Sequence, residues 1–230
     1  RAHHVKPWVK AVTRQVADCL VRHARIAAGG VDAFCAAFYA PQVRWFGPHP
    51  VNAREGRAAV AEGFWQPLLA AFPDLERRLD LLLQGGFREG DWVAAMGHFA
   101  GTFSAPLFGI APTGRAAFLR YGEFSRIETG QVVECYMIVD LPGLMHQAGC
   151  LPLPKSLGVE ILILGPATRD GVSLAAAPAS ETHASLALVE AMIAGLMRYD
   201  GKTLGSMEQH LFWRPDFLWY GPTGIGTARG

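Results

Sequence analysis

Trp92-Val93-Ala94-Ala95-Met96-Gly97-His98-Phe99-Ala100-Gly101-Thr102-Phe103 decides the architecture, because this stretch is apolar on both of its faces. At the two-residue period of an extended chain, Val93, Ala95, Phe99 and Phe103 point one way and Trp92, Met96 and His98 the other. A strand of this kind is covered twice. One cover is a layer of helices; the other is a pocket interior or a partner subunit.

Extended stretches flank it on both sides. Leu79, Leu81 and Leu83 alternate with Arg78 and Asp80 before it, and Ala116 to Ile127 and Val132 to Asp140 follow it. Gly85-Gly86, the loop Ala105 to Gly114 and Thr129-Gly130 separate the four, so hairpin-type connections and a largely antiparallel sheet are expected. Upstream the period is helical. Trp8, Val12, Val16 and Leu20 form one stripe and Phe34, Ala37 and Phe38 a second, with Asp32 placed to cap it. Val43 to Phe46 reads as a short extended piece ending in the turn Gly47-Pro48-His49-Pro50. A third helix runs from about Arg57 to Phe72, and Pro67 should kink or split it. Helices first and a strand meander afterwards give an α+β architecture.

Half of the 230 residues are hydrophobic, 18% are charged, and 21 Lys plus Arg nearly cancel 20 Asp plus Glu. That balance gives a folded protein without the electrostatic footprint of a nucleic-acid or anionic-membrane binder. Cys19, Cys35, Cys135 and Cys150 lie far apart, with no zinc-ligand spacing, and read as reduced packing residues; no metal is expected. The chain has no apolar run of membrane-spanning length and Arg1 to Lys10 has no signal-peptide core, so a cytoplasmic location is expected.

The length suits two ordinary domains, and the sequence repeats itself. Ala40-Pro41-Gln42-Val43-Arg44-Trp45-Phe46-Gly47-Pro48 stands above Arg214-Pro215-Asp216-Phe217-Leu218-Trp219-Tyr220-Gly221-Pro222 with five of nine positions matching or nearly so. Gly56 and Gly230 stay in register. The domain reading is therefore 1–150 for a first unit, 151–182 for a linker rich in Pro, Gly and Ala, and 183–230 for the opening of a second copy. The part of that copy present offers a few helices and one strand, too few to bury a core alone, so either a longer natural protein or a fragment packed on the first domain is expected. Gly224, Gly226 and Gly230 have the wrong spacing for a dinucleotide loop.

Six further stretches carry a family resemblance: Tyr39-Ala40-Pro41, Arg54-Glu55-Gly56, Ala71-Phe72-Pro73-Asp74-Leu75, Phe108 to Arg115, Glu123 to Glu128, and Asp140 to Gly149. In this order they resemble the SnoaL-like polyketide cyclase family of the nuclear transport factor 2-like superfamily. The resemblance implies a cone-shaped domain, cystatin-like in its α+β layering, whose concave sheet encloses an apolar cavity, usually in a dimer that pairs sheet faces. It implies intramolecular aldol cyclisation without metal or organic cofactor, in which a pocket carboxylate removes a proton next to a carbonyl.

Three side chains are candidates for proton transfer. Asp140, the first choice, ends the last strand and shares a face with Ile138, Tyr136 and Glu134; the competing reading is that it caps a short helix from Leu141 to Ala148. Glu123 lies on one face with Leu119 and Tyr121, as a pocket acid or as the partner of an arginine. His98 is a proton shuttle or a hydrogen-bonded core residue. The family pattern often reads Glu-His-Trp-Asp where this chain has Glu134-Cys135-Tyr136-Met137, so Met137 replaces an aspartate. Trp45, His49, Phe64, Trp65, Met96, Tyr121, Tyr136, Met137 and Ile138 complete the expected pocket, the tryptophans serving equally as core.

The expected ligand is a small hydrophobic, cyclic or polyketide-like molecule, handled by a cofactor-free cyclase, lyase or isomerase. Simple sequestration of a metabolite, or a structural role within a homodimer or an intrachain pseudo-dimer, are the competing readings.

Overall fold

The computed structural model of the chain describes residues 30–88, 90–160, 165, 168, 170–172 and 177–229. The helix expected around Trp8 to Ile26 lies outside them. Helix α1 (Val31–Phe38) follows Gly30, whose φ of 80° a side chain would resist, and buries Phe34, Cys35 and Phe38. The chain passes directly into β1 (Tyr39–Phe46) and turns back as β2 (Ala53–Glu55).

The third helix is split, as Pro67 requires. Helix α2 (Arg57–Val60) runs into a π-helical turn (Ala61–Trp65) and then into α3 (Gln66–Ala71). Pro67 stands in the first turn of α3, where its missing N–H costs nothing, and the widened turn ends just before it. The π turn carries Phe64 and Trp65 inward, both fully buried.

Strands β3 (Glu76–Phe87), β4 (Gly90–Thr102), β5 (Ala116–Glu128) and β6 (Gln131–Val139) form the meander, and the sheet order is β2-β1-β6-β5-β4-β3. One contact departs from the antiparallel expectation: β1 runs parallel to β6, because four strands and the helices intervene before the chain returns beside it. The sheet is thus mixed.

Alternation assigns every side chain of the meander to one of two faces. The inner face, under the helices, carries Val93, Ala95 and Phe99 of β4, Leu119, Tyr121, Glu123 and Ser125 of β5, and Cys135, Met137 and Val139 of β6, all buried. The outer face carries Met96, Phe124, Tyr136 and Ile138, which are exposed. A bulge between Leu79 and Leu81 switches the parity of β3, so that Leu79 and Leu82, not Leu79 and Leu81, are buried.

One outer-face cluster is ionic. Glu134 accepts from Tyr136 Oη at 2.7 Å, from Arg44 Nη2 at 2.6 Å and from Arg126 Nε at 3.2 Å. The tyrosine hydrogen bond, then the two guanidinium groups, hold its carboxyl below the usual carboxylate range, against the opposing effect of burial. A depressed folded-state value contributes stability at neutral pH that is lost as the pH falls through it. Glu134→Gln is therefore expected to cost about 1–2 kcal/mol at pH 7, a difference that shrinks toward zero in acid. Urea unfolding midpoints at pH 7 and pH 3 check this; a pH-independent difference contradicts it.

After β6, α4 (Leu141–Gln147) packs Leu141 and Leu144 against the sheet. Of the linker, Val172 bridges Leu82 on the free edge of β3 and Val159 bridges Thr227. Helix α5 (Ala179–Leu196) then leads through 3-10 turns at Leu204–Met207 and Gln209–Leu211 to the hairpin β7 (Leu218–Trp219) and β8 (Ala228–Arg229). Among the described residues no helix is long and apolar enough to cross a membrane.

Candidate functional site

The interior between helices and inner face is aromatic, with polar groups placed at its centre. Trp45 lies against Phe64 with ring centroids 5.1 Å apart, and Trp65 meets Phe34, Phe64 and Phe99 edge-on at 4.9, 5.0 and 6.0 Å. Into this enclosure β3 projects Arg77, and β5 projects Tyr121 and Glu123.

Arg77 Nη2 donates to Glu123 Oε1 at 2.7 Å and Arg77 Nε to Tyr121 Oη at 3.1 Å. The side chains of Arg77 and Glu123 are 1% and 2% exposed, which makes this a desolvated ion pair. The guanidinium carbon stands 4.6 Å from the Tyr121 ring centroid, 5.8 Å from Phe99 and 6.0 Å from Trp65, within reach of their negative faces. Burial alone would lower the arginine pKa; the facing carboxylate and the Tyr121 oxygen outweigh it and hold the guanidinium above its ordinary range.

Burial raises the phenols of Tyr39 and Tyr121, so both keep their protons at neutral pH. Trp65 Nε1 donates to Tyr39 Oη at 3.3 Å. The Cys135 thiol, in the next row of β6, is raised by burial as well and stays unreactive. Two atoms of the pair are left over. Arg77 Nη1 and Glu123 Oε2 are buried and have no hydrogen-bond partner, as does Trp45 Nε1. An unpartnered donor and an unpartnered acceptor thus stand on this desolvated ion pair of the interior, where each costs free energy.

The approach of Arg77 and Tyr121 depends on Gly97. A Cβ there would stand 2.0 Å from the Arg78 carbonyl oxygen and 3.0 Å from Tyr121 Oη. Gly97→Ala is thus expected to push β3 from β4 and cost about 1–3 kcal/mol, read from thermal unfolding; an unchanged transition would show that the strands give without cost.

The expected site residues divide by strand parity. Trp45, Phe64, Trp65, Tyr121, Met137 and Glu123 lie together in the interior, and Met137 is the direct cross-strand neighbour of Glu123. Met96, Tyr136 and Ile138 are on the outer face, and His49 is exposed in its turn. Tyr136, Met137 and Ile138 are consecutive, so no strand can aim all three at one pocket.

Asp140 is likewise on the outer side. Its Oδ1 accepts from Gly143 N at 3.0 Å, the cap of α4, and its Oδ2 from Arg120 Nη2 at 2.7 Å and Thr223 Oγ1 at 2.9 Å. It reaches no interior group. His98, paired with Arg120 across β4 and β5, shares that side; its Nδ1 lies 3.1 Å from Asp80 Oδ2. Among the described residues no group of three His, Cys, Asp or Glu could hold a metal ion.

The residue that sequence reading missed is Arg77. The signal was present: Arg77 has the parity of Leu79, so an inward Leu79 brings Arg77 inward with it.

The fold coincides with that of a known family. The model of the SnoaL-like polyketide cyclases matches residues 11–148, more than half of the chain. The chain belongs to the SnoaL-like polyketide cyclase family. Solved structures agree on the fold of this SnoaL-like domain. A candidate SnoaL-like polyketide cyclase from Jannaschia sp. CCS1 is 21% identical, with a TM-score of 0.51 over 67% of this chain and 100% of that one. AclR from Streptomyces galilaeus, a candidate hydroxylase, is 20% identical, with a TM-score of 0.52 over 64% of this chain and 91% of that one. At such identities the likeness concerns the SnoaL-like fold alone. No curated protein matches the chain.

Proposed function

We propose that the SnoaL-like domain is an acid/base enzyme that closes a ring on a hydrophobic, polyketide-like substrate by intramolecular aldol condensation, with Glu123 as the proton-transferring carboxylate. The observation that carries this reading is the buried pair whose Glu123 Oε2 and Arg77 Nη1 have no partner. Glu123 takes a proton from the carbon next to a ketone, and the electrons move onto the ketone oxygen, which Arg77 Nη1 holds as an enolate. The enolate carbon then bonds to a second carbonyl carbon, whose oxygen recovers the proton from Glu123. The proton that leaves the substrate carbon returns to the substrate oxygen through Glu123, and Arg77 balances the enolate charge in between.

Apolar walls suit such a chain, since Trp45, Phe64, Trp65 and Met137 offer flat or adaptable surfaces. Glu123 is closed from solvent, so a substrate enters only when the cover moves; the π turn Ala61–Trp65, which lays Trp65 near Arg77, is the segment placed to do so.

The test is cyclisation of a linear aromatic polyketone in the presence of a chelator. Acceleration over buffer supports the reading. Saturable binding of the polyketone, seen by tryptophan fluorescence, without any acceleration would instead leave a metabolite-binding domain.

The outer face supports a homodimer that pairs sheets. Ala94, Phe124, Tyr136 and Phe46 form a row across four strands, with Met96 and Ile138 in the next, and Phe46 stacks on Tyr136 at 4.8 Å. Phe124→Glu is expected to weaken self-association at least about tenfold in sedimentation analysis; unchanged association excludes this face. Residues 183–230 complete the proposal as the opening of a second copy of the domain.

A further inference from the structure

The interior holds a second set of polar atoms that the aldol chemistry leaves idle. Trp45 Nε1 has no hydrogen-bond partner, and Ser125 Oγ has none beyond the neighbouring Cys135 thiol, a weak one. Trp45 is fully buried and Ser125 is 1% exposed. The two share one cross-strand row: Trp45 of β1 pairs with Cys135 of β6, and Cys135 with Ser125 of β5. On β5, Ser125 stands two residues beyond Glu123 on the same inner face, about 7 Å further along the strand.

The indole is not free to turn toward a partner. Its six-membered ring rests on Gly47, where a Cβ would come within 2.2 Å of Cζ3, and Phe64 packs against it with ring centroids 5.1 Å apart. Its N–H is therefore a fixed donor, shut away from water and unpaired in the closed domain.

Resting on the reading that the interior holds the ligand, we infer that Trp45 Nε1 and Ser125 Oγ form a second subsite, which takes a carbonyl or hydroxyl oxygen remote from the carbon beside Glu123. The ligand class narrows accordingly. It is a chain with at least two oxygens, one for Arg77 Nη1 and one for the Trp45–Ser125 row, set about 7–10 Å apart by two residues along a strand and two strand spacings across the sheet. A chain with a single ketone leaves the indole N–H buried and unpaired, and is disfavoured for that reason.

One segment covers both subsites. Phe64 and Trp65 are consecutive in the π turn Ala61–Trp65; the first lies on Trp45 and the second stands 6.0 Å from the Arg77 guanidinium. Movement of that turn uncovers the two positions together, so a ligand that spans them enters in one step. A buried water on either atom would also satisfy the unpaired groups, but it confers no preference among ligand oxygens.

That preference is what the experiment reads. Calorimetry measures binding of a linear aryl polyketone, and of analogues in which each carbonyl in turn is a methylene, to the Glu123→Gln protein, so that no ligand is consumed. One remote carbonyl should tighten binding about five- to tenfold, and adding Trp45→Phe or Ser125→Ala should each reduce the preference for that same carbonyl to at most about twofold. Preferences for the other carbonyls should stay as they were. If Trp45→Phe loses its cooperative thermal transition, Ser125→Ala alone decides. The subsite is overturned by a preference that neither substitution changes, by a loss spread evenly over all carbonyls, as core repacking would produce, or by the absence of binding. Turnover is read separately in the protein with Glu123 intact. Cyclisation without the preference keeps the enzyme and rejects the subsite; the preference without cyclisation keeps the subsite in a metabolite-binding domain.

Discussion

Replacement of Arg77 by Met is expected to destabilise the domain by about 3–5 kcal/mol, because it leaves the Glu123 carboxylate buried without its counter-charge. The volume is nearly conserved, so the cost is electrostatic rather than a cavity. Tyr121 loses its Arg77 partner in the same change, and the remaining contact of its hydroxyl with the Arg78 carbonyl is long at 3.4 Å. Chemical denaturation measures the loss. The double replacement Arg77→Met with Glu123→Leu separates the pair from its surroundings: removing both charges should recover most of the stability, since an apolar pair of similar size has no desolvation to offset. A double variant as unstable as Arg77→Met alone would mean that Arg77 acts through its aromatic neighbours and not through Glu123.

That buried pair also marks where sequence reading works and where it stops. The two-sided character of Trp92 to Phe103 fixed a covered strand, and the four-strand meander follows it in place. The Pro67 break appears as a π turn followed by a fresh helix start. Asp140 was legible as a helix cap because capping is local, a matter of three residues. The interior was less legible for two reasons. A pocket is an assembly of side chains distant in sequence, so Arg77 and Glu123, on non-adjacent strands, have no local signature of contact. A one-residue bulge in β3 reverses which leucines face inward, and no composition signal announces it. Strand parity, applied strictly, does separate Met137 from Tyr136 and Ile138, and places Asp140 on the wrong side for chemistry inside.

Glu123→Gln is expected to lower cyclisation about 10²- to 10⁴-fold while leaving polyketone affinity within a factor of about three, the range by which a positioned general base contributes. Glutamine keeps the shape and can still accept from Arg77 through its carbonyl oxygen, but it removes the group that carries the proton. Asp140→Asn is the paired comparison. Asp140 meets only Arg120, Gly143 and Thr223, so its replacement should weaken the α4 cap and the attachment of the Gly221–Thr223 turn without changing turnover. Opposite results, with turnover lost in Asp140→Asn and kept in Glu123→Gln, would move the chemistry to the outer side of β6. Loss in both would instead indicate that the docked C-terminal turn and the interior carboxylate are coupled through β5, the strand on which Arg120 and Glu123 stand three residues apart on opposite faces.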